Sequence, residues 1–188
     1  ETLFFCIYAK RLDGLPASAT ALILTSILQV TAEQPIERKR ARRKRCYSMS
    51  SYPLLKHVIS LTRQVAEYQM GRFRKLPAGG GNEKMAREFV SEVDLRSEQM
   101  LIDGLVKLLP EAGFYGEETG QSGSINCRWI IDPLDGTTNY LSGLDQFSIS
   151  VALYDGDECQ LGVVMRPASQ ELFSACRGNG LYHNEQPS

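Results

Sequence analysis

The run Trp129-Ile130-Ile131-Asp132-Pro133-Leu134-Asp135-Gly136-Thr137-Thr138-Asn139-Tyr140 constrains this chain more than any other stretch. Its apolar opening reads as a buried strand that delivers Asp132 at its C-terminal end. Pro133 stiffens the turn, and Asp135 arrives three residues later on the same bend. Two carboxylates held so close repel one another unless a cation sits between them. Hard oxygen donors on a tight turn suit Mg²⁺, a backbone carbonyl such as that of Leu134 included. Gly136-Thr137-Thr138 then lets backbone N–H groups face an anion where a helix starts. For an isolated D-x-x-D-G pattern the simpler account is a strand-to-helix turn in which Asp caps and Gly bends. The full string is much more specific.

The elements around it follow from periodicity. Leu54, Val58, Leu61, Val65 and Tyr68 recur at steps of four and three, which predicts a helix from about Tyr52 to Arg74. Pro77 and Gly79-Gly80-Gly81 break it into a loop. A second helix is expected from Ser91, with Ser91 and Asp94 at capping-box spacing. Met100, Leu101, Leu105, Leu108 and Leu109 form its apolar face, and Pro110 stops it. The simplest role for Asp94 is then that cap, favoured by the helix dipole. Phe114-Tyr115 reads as a short strand entering Gly116-Glu117-Glu118, a sequence that alone suggests only a solvated loop. Residues 147–154 alternate apolar and small or polar, Asp155-Gly156 signals a hairpin, and residues 161–165 return. Leu172-Phe173-Ser174-Ala175 and the turn Arg177-Gly178-Asn179-Gly180 complete the series. The expected fold class is α/β of the α+β layered-sandwich type, two helices packed on a mostly antiparallel sheet.

Charge divides the chain. Residues 1–48 carry nine Lys/Arg against four Asp/Glu, while the remainder carries 12 against 18. The run Glu37–Arg45 could serve nucleic acid, targeting or simple solvation, and no periodic pattern supports a packed element in 1–48. That segment is expected to be a disordered or non-native leader, with Met49-Ser50-Ser51-Tyr52-Pro53 as a native start. The net charge of −1 argues against a protein that coats polyanions. The broken apolar stretch Ala17–Val30 is too short and too hydroxylated for a membrane span. Five cysteines with no C-x-x-C pair suggest free thiols in a reducing, cytoplasmic setting. Two histidines leave little material for a histidine-built metal centre or a Ser-His-Asp triad, and each reads as surface or packing.

The segment Asp132-Pro133-Leu134-Asp135-Gly136-Thr137-Thr138-Asn139 resembles the first signature of the inositol monophosphatase family, the Mg²⁺-dependent, Li⁺-sensitive phosphatases. Gly116-Glu117-Glu118 resembles the family's Gly-Glu-Glu, and Phe89-Val90-Ser91-Glu92-Val93-Asp94 its Val-Thr-x-x-Asp, in the same order and spacing. The resemblance runs from about Tyr52 to the C-terminus. It implies the N-terminal part of the inositol monophosphatase/fructose-1,6-bisphosphatase-like fold. It further implies that Glu117, Asp132 and the Leu134 carbonyl bind a first Mg²⁺, and that Asp132 bridges to a second ion held also by Asp135. Glu117 would reach a third ion through water. Thr137, supported by Asp94, would orient and help deprotonate the attacking water. Gly136 and Thr137 N–H groups would hold the phosphate. Lys84 stands where relatives place a lysine near the active site, although its neighbour Met85 departs from their pattern.

Relatives also carry a later Trp-Asp signature that completes the second metal site. Trp129, the only tryptophan, is followed by Ile130. The expectation is therefore a first half with an incomplete site, weak Mg²⁺ binding and little turnover. The substrate implied is inositol monophosphate or a related small phosphorylated polyol, and the family is often homodimeric. Rival activities are an adenosine 3′,5′-bisphosphate nucleotidase, a fructose-1,6-bisphosphatase or a histidinol-phosphate phosphatase. Thr137-Thr138-Asn139-Tyr140 resembles the inositol branch, since nucleotidases tend to place Lys or Arg after Asp-Gly-Thr. A reading from another class is a non-catalytic protein that dimerises through an unfinished sheet or binds RNA through 37–45.

Overall fold

The computed structural model describes residues 51–75 and 83–188, with side chains in the second stretch from Arg87 onward. The leader, Met49 and the glycine loop expected above lie outside the described residues.

Helix α1 spans Ser51–Arg72 and helix α2 spans Glu83–Leu108. On α1 the buried stripe is Leu54, Leu55, Val58, Ile59, Thr62, Val65, Ala66 and Gln69. It differs from the predicted face at Leu61 and Tyr68, which are only half-buried. On α2 the stripe runs Val90, Val93, Asp94, Ser97, Glu98, Leu101, Ile102 and Leu105. Thus α2 starts before the predicted Ser91, and the capping box is not formed. Ser91 and Asp94 lie inside the helix, and Asp94 is part of its buried face.

The strands are β1 (Gly113–Gly116), β2 (Gly120–Ser122), β3 (Cys127–Asp135), β4 (Ser148–Asp155), β5 (Glu158–Arg166), β6 (Glu171–Cys176), β7 (Gly180–His183) and β8 (Gln186–Pro187), with the short helix α3 (Thr137–Leu141) between β3 and β4. They form one sheet in the order β2-β1-β3-β4-β5-β6-β7-β8. Every described pairing is antiparallel except β1 with β3. The mixed α+β layered architecture expected from the sequence is what the structure has.

Both helices pack on one face of the sheet. Trp129 and Ile131 of β3, Ile149, Val151 and Leu153 of β4, and Leu161, Val163 and Met165 of β5 alternate onto that face and bury against them. The other face buries Ala152, Cys159, Val164, Phe173 and Ala175. Covering on both sides is why β4 and β5 read as nearly continuous apolar runs. Cys127 is disulfide-bonded, which corrects the expectation of free thiols throughout. Cys159 and Cys176 are free and buried. His57 is exposed and bonds the Pro53 carbonyl, while His183 stacks on Phe173, as surface and packing residues should. Among the described residues no helix is long and apolar enough to cross a membrane.

The two-faced core predicts a sharp contrast. Ile131 is 0% exposed and Ile125 is 60% exposed. Ile131→Ala should cost about 2–5 kcal/mol in urea unfolding at unchanged slope. Ile125→Ala should stay within about 0.5 kcal/mol.

Candidate metal and phosphate site

The single parallel pairing sets the site. Gly116 of β1 lies opposite Ile131 of β3. One residue further, at Glu117, β1 has given way to a turn, while β3 continues through Asp132 to Asp135, so the two segments quoted from the sequence leave the parallel pairing toward the same end of the sheet. Ligand sites favour such ends.

A bulge then re-aims β3. Asp132 pairs with Ser150 and Asp135 with Ser148, so two intervening residues on one strand stand against one on the other. Ser148 and Ser150 share a face of β4, so Asp132 and Asp135 share it too. Regular alternation would have put them on opposite faces. Both aspartates are buried. The Ser148 hydroxyl lies 3.5 Å from Asp135 Oδ2.

The bend is seated firmly. Leu134 enters a cluster with Phe73, Val90, Val93, Tyr140 and Phe147. In that cluster the Phe73, Tyr140 and Phe147 rings lie 4.9–5.2 Å apart. The buried Gln69 side-chain amide donates to the Pro133 carbonyl at 2.6 Å and to Ser97 Oγ at 3.1 Å. Tyr140 donates its hydroxyl to the Gln69 carbonyl at 2.7 Å, and burial pushes its phenol pKa up, which keeps the proton on. Gly136 has φ 89°, and a Cβ there would lie 2.8 Å from the Gln146 carbonyl oxygen. Only glycine fits that turn without strain.

On the helix side, Asp94 and Glu98 are one turn apart and both are buried. Asp94 Oδ1 and Glu98 Oε2 have no hydrogen-bond partner among the described residues. Glu98 Oε1 accepts the Glu118 backbone N–H at 3.1 Å. Burial, then the charges of Glu118, Glu117 and Glu98, push the Asp94 carboxyl up to about 8. Burial with Glu117 and Glu98 also raises Glu118. Buried carboxylate oxygens lacking donors, crowded by like charge, fit a hard divalent cation in donor chemistry.

The predicted residues fall into two groups. Asp132 and Asp135 share one face, with the Leu134 carbonyl between them on the bend. The charge of Glu117 acts on Asp94 from the Gly116-Glu117-Glu118 turn. Among the described residues, no three Asp, Glu, His or Cys side chains stand close enough to ligate one ion. Among the described residues no hydrogen bond joins Thr137 to Asp94. Thr137 donates its hydroxyl to the Leu134 carbonyl at 3.0 Å. The side chain of Lys84, in the first turn of α2, lies outside the described residues.

The inositol monophosphatase family model matches residues 51–188, a span that takes in every described residue. The chain belongs to the inositol monophosphatase family. Relatives include a Nus factor SuhB of Xylella fastidiosa, 33% identical over 134 residues, which covers 71% of this chain and 49% of the relative. An inositol-1-monophosphatase of Rhizobium meliloti is 44% identical over 103 residues, covering 53% and 38%. Among solved structures, the extragenic suppressor protein suhB of Bartonella henselae superposes with a TM-score of 0.62 at 28% identity, covering 72% of this chain and 52% of that one. The chain spans about half the length of the curated relatives it matches.

Gln69, Ser97 and Glu98 were not singled out by the sequence. The signal was present: each is a polar residue at a core position of a helical stripe. Asp94 predicts a pH effect in metal-free protein. Its pKa is raised from 3.8 to about 8 by the fold, so the folded chain holds this proton more tightly than the unfolded one. The protonated form's contribution is full below 3.8 and is lost as pH rises toward about 8. Asp94→Asn should therefore unfold much like wild type at the acid end. It should become the more stable protein by up to several kcal/mol near the upper end, read from urea midpoints in EDTA.

Proposed function

We propose that this protein is a Mg²⁺-dependent, Li⁺-sensitive phosphomonoester hydrolase acting on inositol monophosphate or a related small sugar phosphate. The observation that carries this reading is the β3 bulge, which turns Asp132 and Asp135 onto one face beside the Gly116-Glu117-Glu118 turn.

Glu117, Asp132, the Leu134 carbonyl and Asp135 would hold the metal. Bound Mg²⁺ would neutralise the phosphate and acidify a water. The remaining work belongs to the chain. The Thr137 hydroxyl, its proton committed to the Leu134 carbonyl, keeps lone pairs that accept a water's O–H and aim it. Asp94, with an unpartnered buried oxygen, is the base assigned to that water's proton. Backbone N–H groups of Gly136 and Thr137, and the Lys84 ammonium, are assigned to the phosphate. Sugar phosphates join the substrate class because one relative, from Aquifex aeolicus, is named fructose-1,6-bisphosphatase/inositol-1-monophosphatase.

A second reading rests on the relatives named Nus factor SuhB: a factor that acts by binding a partner, with no turnover. Phosphate release separates the two. The first reading predicts Mg²⁺ binding in the millimolar range by calorimetry and slow, Mg²⁺-dependent release from inositol 1-phosphate. It predicts less release from adenosine 3′,5′-bisphosphate. Asp132→Asn should weaken Mg²⁺ binding at least about tenfold while the protein stays folded. Mg²⁺-independent release, or none from any phosphate ester, would refute it.

A further inference from the structure

Glu98 is a fully buried carboxyl with an unusual neighbour. Its Oε1 accepts the Glu118 N–H at 3.1 Å, joining α2 to the end of β1. The path to that bond passes over Gly116. A Cβ on Gly116 would lie 2.0 Å from Glu98 Oε1 and 2.7 Å from its Cδ. No side chain can occupy that space while the carboxyl does. The glycine of Gly116-Glu117-Glu118 is therefore explained by what rests on it, since its φ is not in the left-handed region. Glu117 sits between the glycine that makes room and the amide that is held, and its own side chain is exposed. Its backbone is thus held on both sides while its side chain stays exposed.

We propose that Glu98 is a positioning residue, whose Oε1 latches the Gly116-Glu117-Glu118 turn to α2 and so fixes where Glu117 presents its carboxylate. The metal consequence rests on the phosphatase reading, but the latch itself does not. Partners behind a metal ligand commonly set affinity by 10- to 100-fold (about one to two decades). Glu98→Gln keeps the length and a carbonyl acceptor. Glu98→Met keeps the length and loses the acceptor, so a purely space-filling role predicts equal behaviour for the two.

The test uses the full chain. Exchange of the Glu118 amide is followed by NMR, Mg²⁺ affinity by calorimetry, and global stability by urea. Glu98→Met should speed Glu118 exchange by about tenfold or more and weaken Mg²⁺ binding by about tenfold, whichever way its unfolding midpoint moves. Glu98→Gln should stay within about threefold of wild type on both. If the Met variant does not fold, Glu98→Asp withdraws the oxygen by one methylene and is judged by the same readouts. Gly116→Ala, which displaces the carboxyl, should reproduce the loss of protection. Unchanged Glu118 protection in the Met and Ala variants overturns the latch, even if the wild type releases phosphate. A wild type that releases no phosphate but whose Glu118 protection depends on Glu98 overturns the phosphatase reading and leaves the latch standing.

Discussion

One parallel pairing in an otherwise antiparallel sheet carries the rest of the structure. Hairpins return a chain to the starting edge, so antiparallel neighbours end at opposite ends of the sheet. Because β1 and β3 run the same way, with Gly116 opposite Ile131, both chains emerge at one end. A register slip of one residue would move Gly116 away from Ile131 and turn the side chains of a whole strand to the other face. The core prevents the slip. Trp129 and Ile131 are buried on the helix side, and moving them across would take two of the largest fully buried side chains out of the core formed with the helices. Fold stability and site geometry are thus set by the same contacts.

The helices contribute more than cover. Each carries polar side chains inside its apolar stripe: Gln69 on α1, and Asp94, Ser97 and Glu98 on α2. Burying such groups costs about 1–3 kcal/mol each unless they are bonded. Several bonds they make reach the segments that build the site. Gln69 holds the Pro133 carbonyl and Glu98 holds the Glu118 N–H. Apolar residues at these positions would strengthen the core, but they would leave the bend and the turn attached only through their own strands.

This division explains what could be read from the letters. The bend was legible because its chemistry is compressed into consecutive residues, and the strands because alternation is a local property. The aspartates were placed on one bend, but the bulge that puts them on one face depends on Ser148 and Ser150 of a different strand. The start of α2 was misread because Ser91 and Asp94 have the spacing of a cap, while the burial of Asp94 is decided by tertiary packing. Tyr68 was favoured over Gln69 for the buried face of α1 because it is the more apolar side chain. The structure buries Gln69, whose amide has partners on two other segments. A polar residue at a core position was the cue, and apolar counting passes over it.

The crowding of Asp94, Glu98, Glu117 and Glu118 connects stability to ligand binding. Like charges near a buried carboxyl raise its pKa because ionisation there is costly. A cation that binds only the folded chain removes part of that cost and stabilises the fold as its concentration rises above its Kd. Relief of that repulsion would be one contribution to the binding of any cation seated there. A sequence that relaxed the repulsion by replacing these carboxylates with amides would gain a quieter core and give up the electrostatic reason for a cation to bind. That these groups stand on a buried helix face and at the end of the parallel pair, rather than spread over the surface, is what makes their mutual repulsion large enough to matter.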